Sequence, residues 1–157
     1  MTDYSDYLQN SVLKKKSYAF AIRIVNMSQY LIAEKKEYIL SKQIMRSGTA
    51  IGALITESKR AESTADFIHK LNIALKEADE TFYWISLLKD TDFIDKKMYA
   101  SISKDVNELI AMLVSSIKTA KINQQKNKKN NQDIQNNQSS QDNPINQNVR
   151  VDQNNQQ

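Results

Sequence analysis

Glycine, proline and cysteine are almost missing from this chain of 157 residues. Gly48 and Gly52 are the only glycines and Pro144 is the only proline, so the tight turns of a multi-stranded sheet have almost no residues to form them. Cysteine is absent altogether, which excludes disulfide bonds and thiolate metal ligands. These absences predict an all-α fold made of long helices.

Long apolar runs are also missing. No stretch approaches the length of a membrane span, and the first residues, MTDYSDYLQN, have neither the basic start nor the apolar core of a secretory signal. We therefore expect a cytoplasmic protein with no membrane partner.

What is present is a helical periodicity. Apolar and small residues recur at spacings of three and four in four segments, which is typical of the seams of an up-down bundle. The seams run through Phe20, Ile24, Met27 and Leu31; through Leu40, Ile44, Ser47, Ile51 and Leu54; through Phe67, Leu71, Ala74, Ala78, Phe82 and Ile85; and through Ile102, Val106, Leu109, Leu113 and Ile117. The pattern predicts an antiparallel up-down four-helix bundle with helices over roughly 17–34, 38–58, 63–90 and 95–121.

Local chemistry supports these boundaries. Ser63 is a good N-cap for the third helix, with Asp66 three residues later as a short version of the capping-box carboxylate, and Asp95 can cap the fourth helix. From Asn123 onward Asn and Gln dominate, and such a stretch buries too little apolar surface to offset its ordering entropy. We expect a bundle domain over 1–122 and a disordered tail over 123–157.

The segment 41–75 carries a family resemblance. Its sequence SKQIMRSGTAIGALITES, followed by DFIHKLNIA, is similar to the pattern S-x-Q-L-x-R-S-x-x-S-I-x-x-N-I-x-E-G and D/E-F-x-x-x-L-x-I-A of bacterial proteins named for intervening sequences of 23S rRNA. That group includes accessory proteins of diversity-generating retroelements. Leu54 and Ser58 depart from the pattern, because they stand where the family usually has Asn and Gly.

The resemblance implies a four-helix bundle that assembles as a ring-like homopentamer. It also implies an adaptor that binds RNA or a reverse-transcriptase-like protein. Apolar residues outside the seams support self-association independently, since exposed apolar patches mark contact surfaces; the alternative is that they widen the edge of the core. The candidate interface residues are Val25, Ile32, Ile55, Ile68 and Trp84.

Gly48 and Gly52 form a G-x-x-x-G pair inside the second helix, where each glycine costs about 1 kcal/mol relative to alanine. Close packing of another helix on this strip of small residues would compensate that loss. A phosphate-binding loop is excluded because the glycines are mid-helix and no G-K-[ST] follows.

Catalytic groups are scarce. His69 is the only histidine and is expected to face solvent, so neither a nucleophile triad nor the Glu-x-x-His pairs of a di-iron bundle can be assembled. The sequence predicts a protein that is not an enzyme, with no metal, no cofactor and no small-molecule substrate.

Two glutamates lie next to apolar residues, where a carboxylate needs a partner. Arginine offers a forked donor for such a group. We predict a structural ion-pair network between or within subunits, made of Arg23, Arg46, Glu57 and Glu80.

Basic residues give the functional hint that does not depend on the resemblance. Helices two and four should end at one pole, with the run before helix one at the opposite pole. Clustered cations on an oligomer would bind nucleic-acid backbone without reading bases. The candidates are Lys14, Lys15, Lys16, Lys42, Lys59, Arg60, Lys118 and Lys121. The alternative function is a structural or regulatory protein–protein module, because the net charge is only +4.

Overall fold

The computed structural model describes residues 11–141, and side chains through residue 132. It contains four α-helices: α1 (Val12–Lys35), α2 (Leu40–Ser58), α3 (Thr64–Asp90) and α4 (Lys96–Gln141). The all-α prediction is confirmed, and α2 and α3 lie within two residues of their predicted bounds. α1 begins before the predicted residue 17, since Ser11 adopts extended N-cap geometry and the lysine run is itself a good helix former.

α4 differs most from the prediction, because it continues beyond residue 121 to Gln141. Asn, Gln and Lys supply no helix breaker, and the first proline is Pro144. Residues 123–141 are thus helical where a disordered tail was expected, and residues 142–157 lie outside the described residues. The chain divides into two compact units, Met1–Ile122 and Asn123–Gln157.

Helices α1 and α2 run antiparallel, as their contacts show. Ser28 Oγ donates to the backbone oxygen of Ser41, and Gly48 and Gly52 lie against Ile24 and Ser17. Residue numbers fall along α1 as they rise along α2. α4 is antiparallel to α1 by the same test, because Arg23 contacts Ser101 and Lys16 contacts Glu108.

The core lies between the four helices. Its fully buried side chains include Phe20, Ile24, Leu31, Ile44, Ile51, Leu71, Ile85, Leu88, Ile102, Val106, Leu109 and Leu113. These are largely the residues of the predicted seams. A pair of buried hydroxyl groups joins α3 to α2 within this core, where Thr81 Oγ1 donates to Ser47 Oγ at 2.9 Å.

The joints form without glycine. Lys36 ends α1 with φ 52° and Asp92 follows α3 with φ 61°, so two residues with side chains occupy the left-handed region that usually favours glycine. The predicted caps are confirmed: Ser63 Oγ accepts from Asp66 N at 3.1 Å and Asp95 Oδ1 accepts from Met98 N at 2.7 Å. The Asp66 carboxylate accepts from Glu62 N and not from Ser63 N.

Candidate functional site

The pole at which α1 begins and α2 ends gathers most of the basic candidates. Lys14 of α1 and Thr56 of α2 line one cleft, so the run Lys14 to Lys16 shares this pole with Lys59 and is not at the opposite end. That part of the sequence prediction is wrong, since antiparallel neighbours place the start of one helix beside the end of the next. α4 reaches the same pole, because its register advances from Ser101 beside Arg23 to Glu108 beside Lys16.

We name this region the basic pole. Its exposed cations are Lys15, Lys16, Lys59, Arg60, Lys118 and Lys121. Lys16 is paired there with Glu108, with 2.7 Å between Nζ and Oε1, while both side chains stay more than a third exposed. An ion pair this exposed is weak, so Lys16 remains available to a stronger anion.

Two basic candidates do not belong to this surface. The side chain of Lys14 is buried, with only 3% of the residue exposed, because it folds into the cleft between α1 and α2. Lys42 is exposed but lies in the first turn of α2, beside Ser41 and therefore at the opposite pole. The structure therefore does not bring these two residues together with the other basic candidates.

The predicted ion-pair network is replaced within the chain by a different cluster. Arg23 pairs with Asp105 of α4, and its second guanidinium nitrogen donates to Ser101 Oγ at 2.8 Å. Among the described residues, neither Arg23 nor Arg46 forms an ion pair with Glu57 or Glu80. Arg23 cannot reach these glutamates because it lies on the face of α1 that packs against α4, whereas Glu57 and Glu80 belong to α2 and α3.

The two glutamates of that prediction have separate surroundings. Glu57 and Arg46 are exposed on α2. Glu80 is half-buried on α3, where its Oε1 accepts from Trp84 Nε1 at 3.1 Å. Trp84 also packs edge-on against Tyr83, with ring centroids 4.9 Å apart. Trp84 thus makes its polar contact on its own helix.

An apolar surface runs along the outer side of α1. Tyr18, Ile22 and Ile32 are 39–47% exposed and Val25 between them is half-buried. At 100° per residue all four fall within about 80° of one helix face. We name these four residues the α1 stripe. It contains two predicted interface residues, Val25 and Ile32.

Two other interface candidates are in the wrong place for such a contact. Ile55 and Ile68 belong to the core, with 3% and 8% of their surface exposed. The seams assigned from spacing alone were too narrow, because each helix in the bundle packs against two neighbours and buries a wider arc.

Clefts on the bundle surface include one between α1 and α2 and one at the joint between α2 and α3. The cleft between α1 and α2 has a volume of about 250 Å³ and is lined by small and hydroxyl side chains together with Lys14 and Tyr18. Its Ser17 and Thr49 hydroxyls donate to carbonyls of their own helices. The second, of about 300 Å³, lies at the joint between α2 and α3 and includes Lys59, Ser63 and Phe67. Neither joins a nucleophile to a base.

The described residues were also compared with the needs of a catalytic histidine, a metal site and a membrane span. His69 is exposed, as expected. In the part of the chain that the structure describes, no three His, Cys, Asp or Glu side chains come together in a way that could hold a metal ion. Across residues 11–141, none of the helices combines the length and apolarity needed to cross a bilayer.

The joint before α2 holds an arrangement that sequence reasoning missed. Glu37 Oε1 accepts from the backbone N–H groups of Ile39 and Leu40, and Oε2 accepts from Ser41 N at 2.6 Å. Burial alone would raise the pKa of Glu37, but these backbone donors stabilise the carboxylate and hold its pKa below the usual 4.5. The sequence did contain a signal for this cap, namely an acidic residue three positions before the first residue of a helix.

Comparison with known proteins gives the class of this fold. Residues 9–115 match the family model described as 23S rRNA-intervening sequence protein, and the chain belongs to that family. A crystal structure of a protein of unknown function from the S23 ribosomal protein family of Bacteroides thetaiotaomicron is 55% identical, with a TM-score of 0.68, and the match covers 68% of this chain and 99% of that one. No curated protein matches the chain.

The departures from the family pattern lie on α2. Ser58, where glycine is usual, is buried and donates its hydroxyl to the backbone oxygen of Ile55 at 2.8 Å. Leu54, where asparagine is usual, is half-buried and packs against the core. Both side chains are accommodated by the bundle itself.

Proposed function

We propose that this protein is a non-enzymatic, cytoplasmic, oligomeric adaptor that binds the phosphate backbone of RNA through its basic pole. The observation that carries the proposal is the placement of Lys15, Lys16, Lys59 and Arg60 on exposed surface at one end of the bundle. The chain has a net charge of only +4, so the proposal depends on where these cations lie and not on the overall charge.

The chemistry of such a surface is electrostatic. Each phosphate that a lysine or arginine neutralises releases condensed counterions, so affinity falls steeply as salt rises. Backbone contacts position a protein on RNA but do not read its sequence. We therefore expect binding of structured RNA with little sequence preference.

Self-association strengthens the proposal. The α1 stripe offers an apolar contact surface that a second copy of the chain would cover, and a homopentamer, as the family resemblance implies, would repeat the basic pole five times around one axis. Repeated sites raise the avidity for a long polyanion without any new contact. A reverse-transcriptase-like protein is the second partner that the resemblance implies, and it would be held on the same assembly.

Fluorescence anisotropy with a labelled RNA hairpin tests the proposal. Charge reversal by Lys59→Glu and Arg60→Glu is expected to weaken binding and to flatten the dependence of log Kd on log salt by about 2. Lys96→Glu and Lys97→Glu, at the opposite pole beside Asp95, provide a control with the same change in charge and are expected to have a smaller effect. Light scattering must show the same oligomer for all variants.

A second function is favoured by the α1 stripe taken alone. In that case the protein is a structural or regulatory protein–protein module, and its basic pole has no nucleic-acid partner. The absence of RNA binding at low salt, together with an intact oligomer, would contradict the adaptor proposal and leave this second function.

A further inference from the structure

The part of α4 that extends beyond the bundle domain has an unusual composition. Residues 123–132, which we name the basic arm, consist of Lys126, Lys128, Lys129 and seven Asn or Gln residues. No Asp or Glu occurs between Glu108 and Asp133. The arm is helical, and all of its side chains except half-buried Gln124 are exposed. It lies outside residues 9–115, to which the family model corresponds.

Helical geometry groups these side chains. At 100° per residue, Lys126 and Lys129 are neighbours on one face of the helix. Gln125 and Gln132 flank Lys129 on the same face at spacings of four and three. Lys128 lies about 100° from Lys129, so cationic heads extend around a second side. The arm therefore presents three point charges within about 5 Å of helix length, and its amide donors extend over about 15 Å.

The absence of apolar residues narrows the class of partner. A helix that lies on a membrane buries an apolar face, and a stable protein interface has aromatic or aliphatic residues at its centre. Residues 123–132 have neither. Phosphate and sugar oxygens, in contrast, are contacted by lysine together with asparagine and glutamine.

We propose that the basic arm is a second contact for nucleic-acid backbone, in addition to the basic pole. The arm gives this protein an electrostatic extension that the family domain does not contain. This inference deepens the proposed function and rests on it for the identity of the partner. It assigns Lys126, Lys128 and Lys129 to phosphate binding and the amides around them to hydrogen bonds with phosphate and sugar.

Three full-length variants test the arm, each replacing three cations by glutamine. The arm variant is Lys126→Gln, Lys128→Gln and Lys129→Gln; the pole variant is Lys15→Gln, Lys59→Gln and Arg60→Gln. The control is Lys96→Gln, Lys97→Gln and Lys104→Gln, three exposed lysines at the other end of the same helix. Glutamine keeps helix propensity close to that of lysine, and far-UV circular dichroism verifies that the helices persist.

The probe is a labelled RNA hairpin, titrated at several salt concentrations. We expect the arm variant to reduce the slope of log Kd against log salt by about 2 to 3, since each neutralised phosphate contributes about 0.7 to 0.9. At low salt its affinity should fall about tenfold or more, whereas the control variant should bind almost as the parent does.

The outcomes separate the two proposals. If the arm and control variants bind alike, the arm inference is overturned, and a loss confined to the pole variant leaves the proposed function standing. If only the arm variant loses binding, the arm inference holds and the basic pole is not the site. Binding by none of the proteins overturns both. Equal arm-dependent binding to poly-glutamate or to phosphatidylserine vesicles would overturn the assignment to nucleic acid.

Discussion

Gly48 of α2 packs directly on Ile24 of α1. A β carbon at position 48 would lie 2.7 Å from Cγ1 and 2.9 Å from Cγ2 of Ile24, which is too close for any real contact. At Gly52 the nearest atom to such a carbon would be the backbone oxygen of Ser17, at an ordinary 3.5 Å. The two glycines of one motif thus have different roles, because only Gly48 is required for the close approach of the helices.

This difference predicts opposite effects on stability. Gly48→Ala should lower the free energy of unfolding by about 1 to 3 kcal/mol, because the buried side chain of Ile24 must move within a packed core. Gly52→Ala should raise it by up to about 1 kcal/mol through helix propensity. Urea unfolding followed by circular dichroism measures both. Equal effects of the two substitutions would contradict the contact between Gly48 and Ile24.

We expect Glu37, in the joint before α2, to make a pH-dependent contribution to the free energy of unfolding. Glu37→Gln should destabilise the bundle by about 1 to 2 kcal/mol at neutral pH, because an amide oxygen replaces a carboxylate that accepts three backbone hydrogen bonds. Glu34→Gln, an exposed glutamate on the last turn of α1, is the control and should change stability by less than about 0.5 kcal/mol.

The pH dependence has a definite sign. The pKa of Glu37 in the folded protein lies below its usual 4.5, so the unfolded chain takes up the proton first as the pH falls. The stabilisation is present above the unfolded pKa and is lost as the pH drops through the folded one. The difference between the parent and Glu37→Gln should therefore shrink below about pH 4.5; a constant difference down to acid unfolding would exclude this role.

Substitutions in the α1 stripe are expected to change the assembly of the protein but not its folding. Val25→Glu and Ile32→Glu should weaken the oligomer in light scattering while leaving the helical content unchanged. Val114→Glu is a matched control, because Val114 is 49% exposed on α4 and lies outside the stripe. Ile68→Glu should instead unfold the chain, since it places a charge in the core. A monomeric parent at tens of micromolar would exclude the stripe as a self-contact.

Truncation after Ile122 removes the helical extension from the bundle domain. We expect an unchanged thermal midpoint, since the exposed side chains described after this residue contribute nothing to the core. The helical signal per molecule should nevertheless fall, because residues 123–141 are helical. Loss of cooperative unfolding would show that the boundary is misplaced, and an undiminished helical signal would show that the extension is not helical in solution.

The seams of the bundle were readable from the sequence because burial repeats every three or four residues along each helix. The capping roles of Ser63 and Asp95 were readable because the chemistry of an N-cap is local. The partner of Arg23 was not, because Asp105 is 82 residues away along the chain and only the packing of α4 on α1 brings the two together. Ile55 and Ile68 were misplaced for a related reason, since the width of a buried arc depends on how many neighbours a helix has.

Composition and periodicity are enough to define the class of fold, since a chain with two glycines, one proline and a heptad-like apolar pattern can form a packed core only through long helices. Which charges share a surface depends instead on how the helices pack. Antiparallel pairing places the start of α1 beside the end of α2, so Lys15 and Lys16 lie at the same pole as Lys59 and Arg60. Lys14 is buried there, and Lys42 lies at the opposite pole. Periodicity is a property of neighbours along the chain, whereas a binding surface depends on the register between helices. That register depends on contacts between helices, such as that of the Gly48 backbone with the Ile24 side chain.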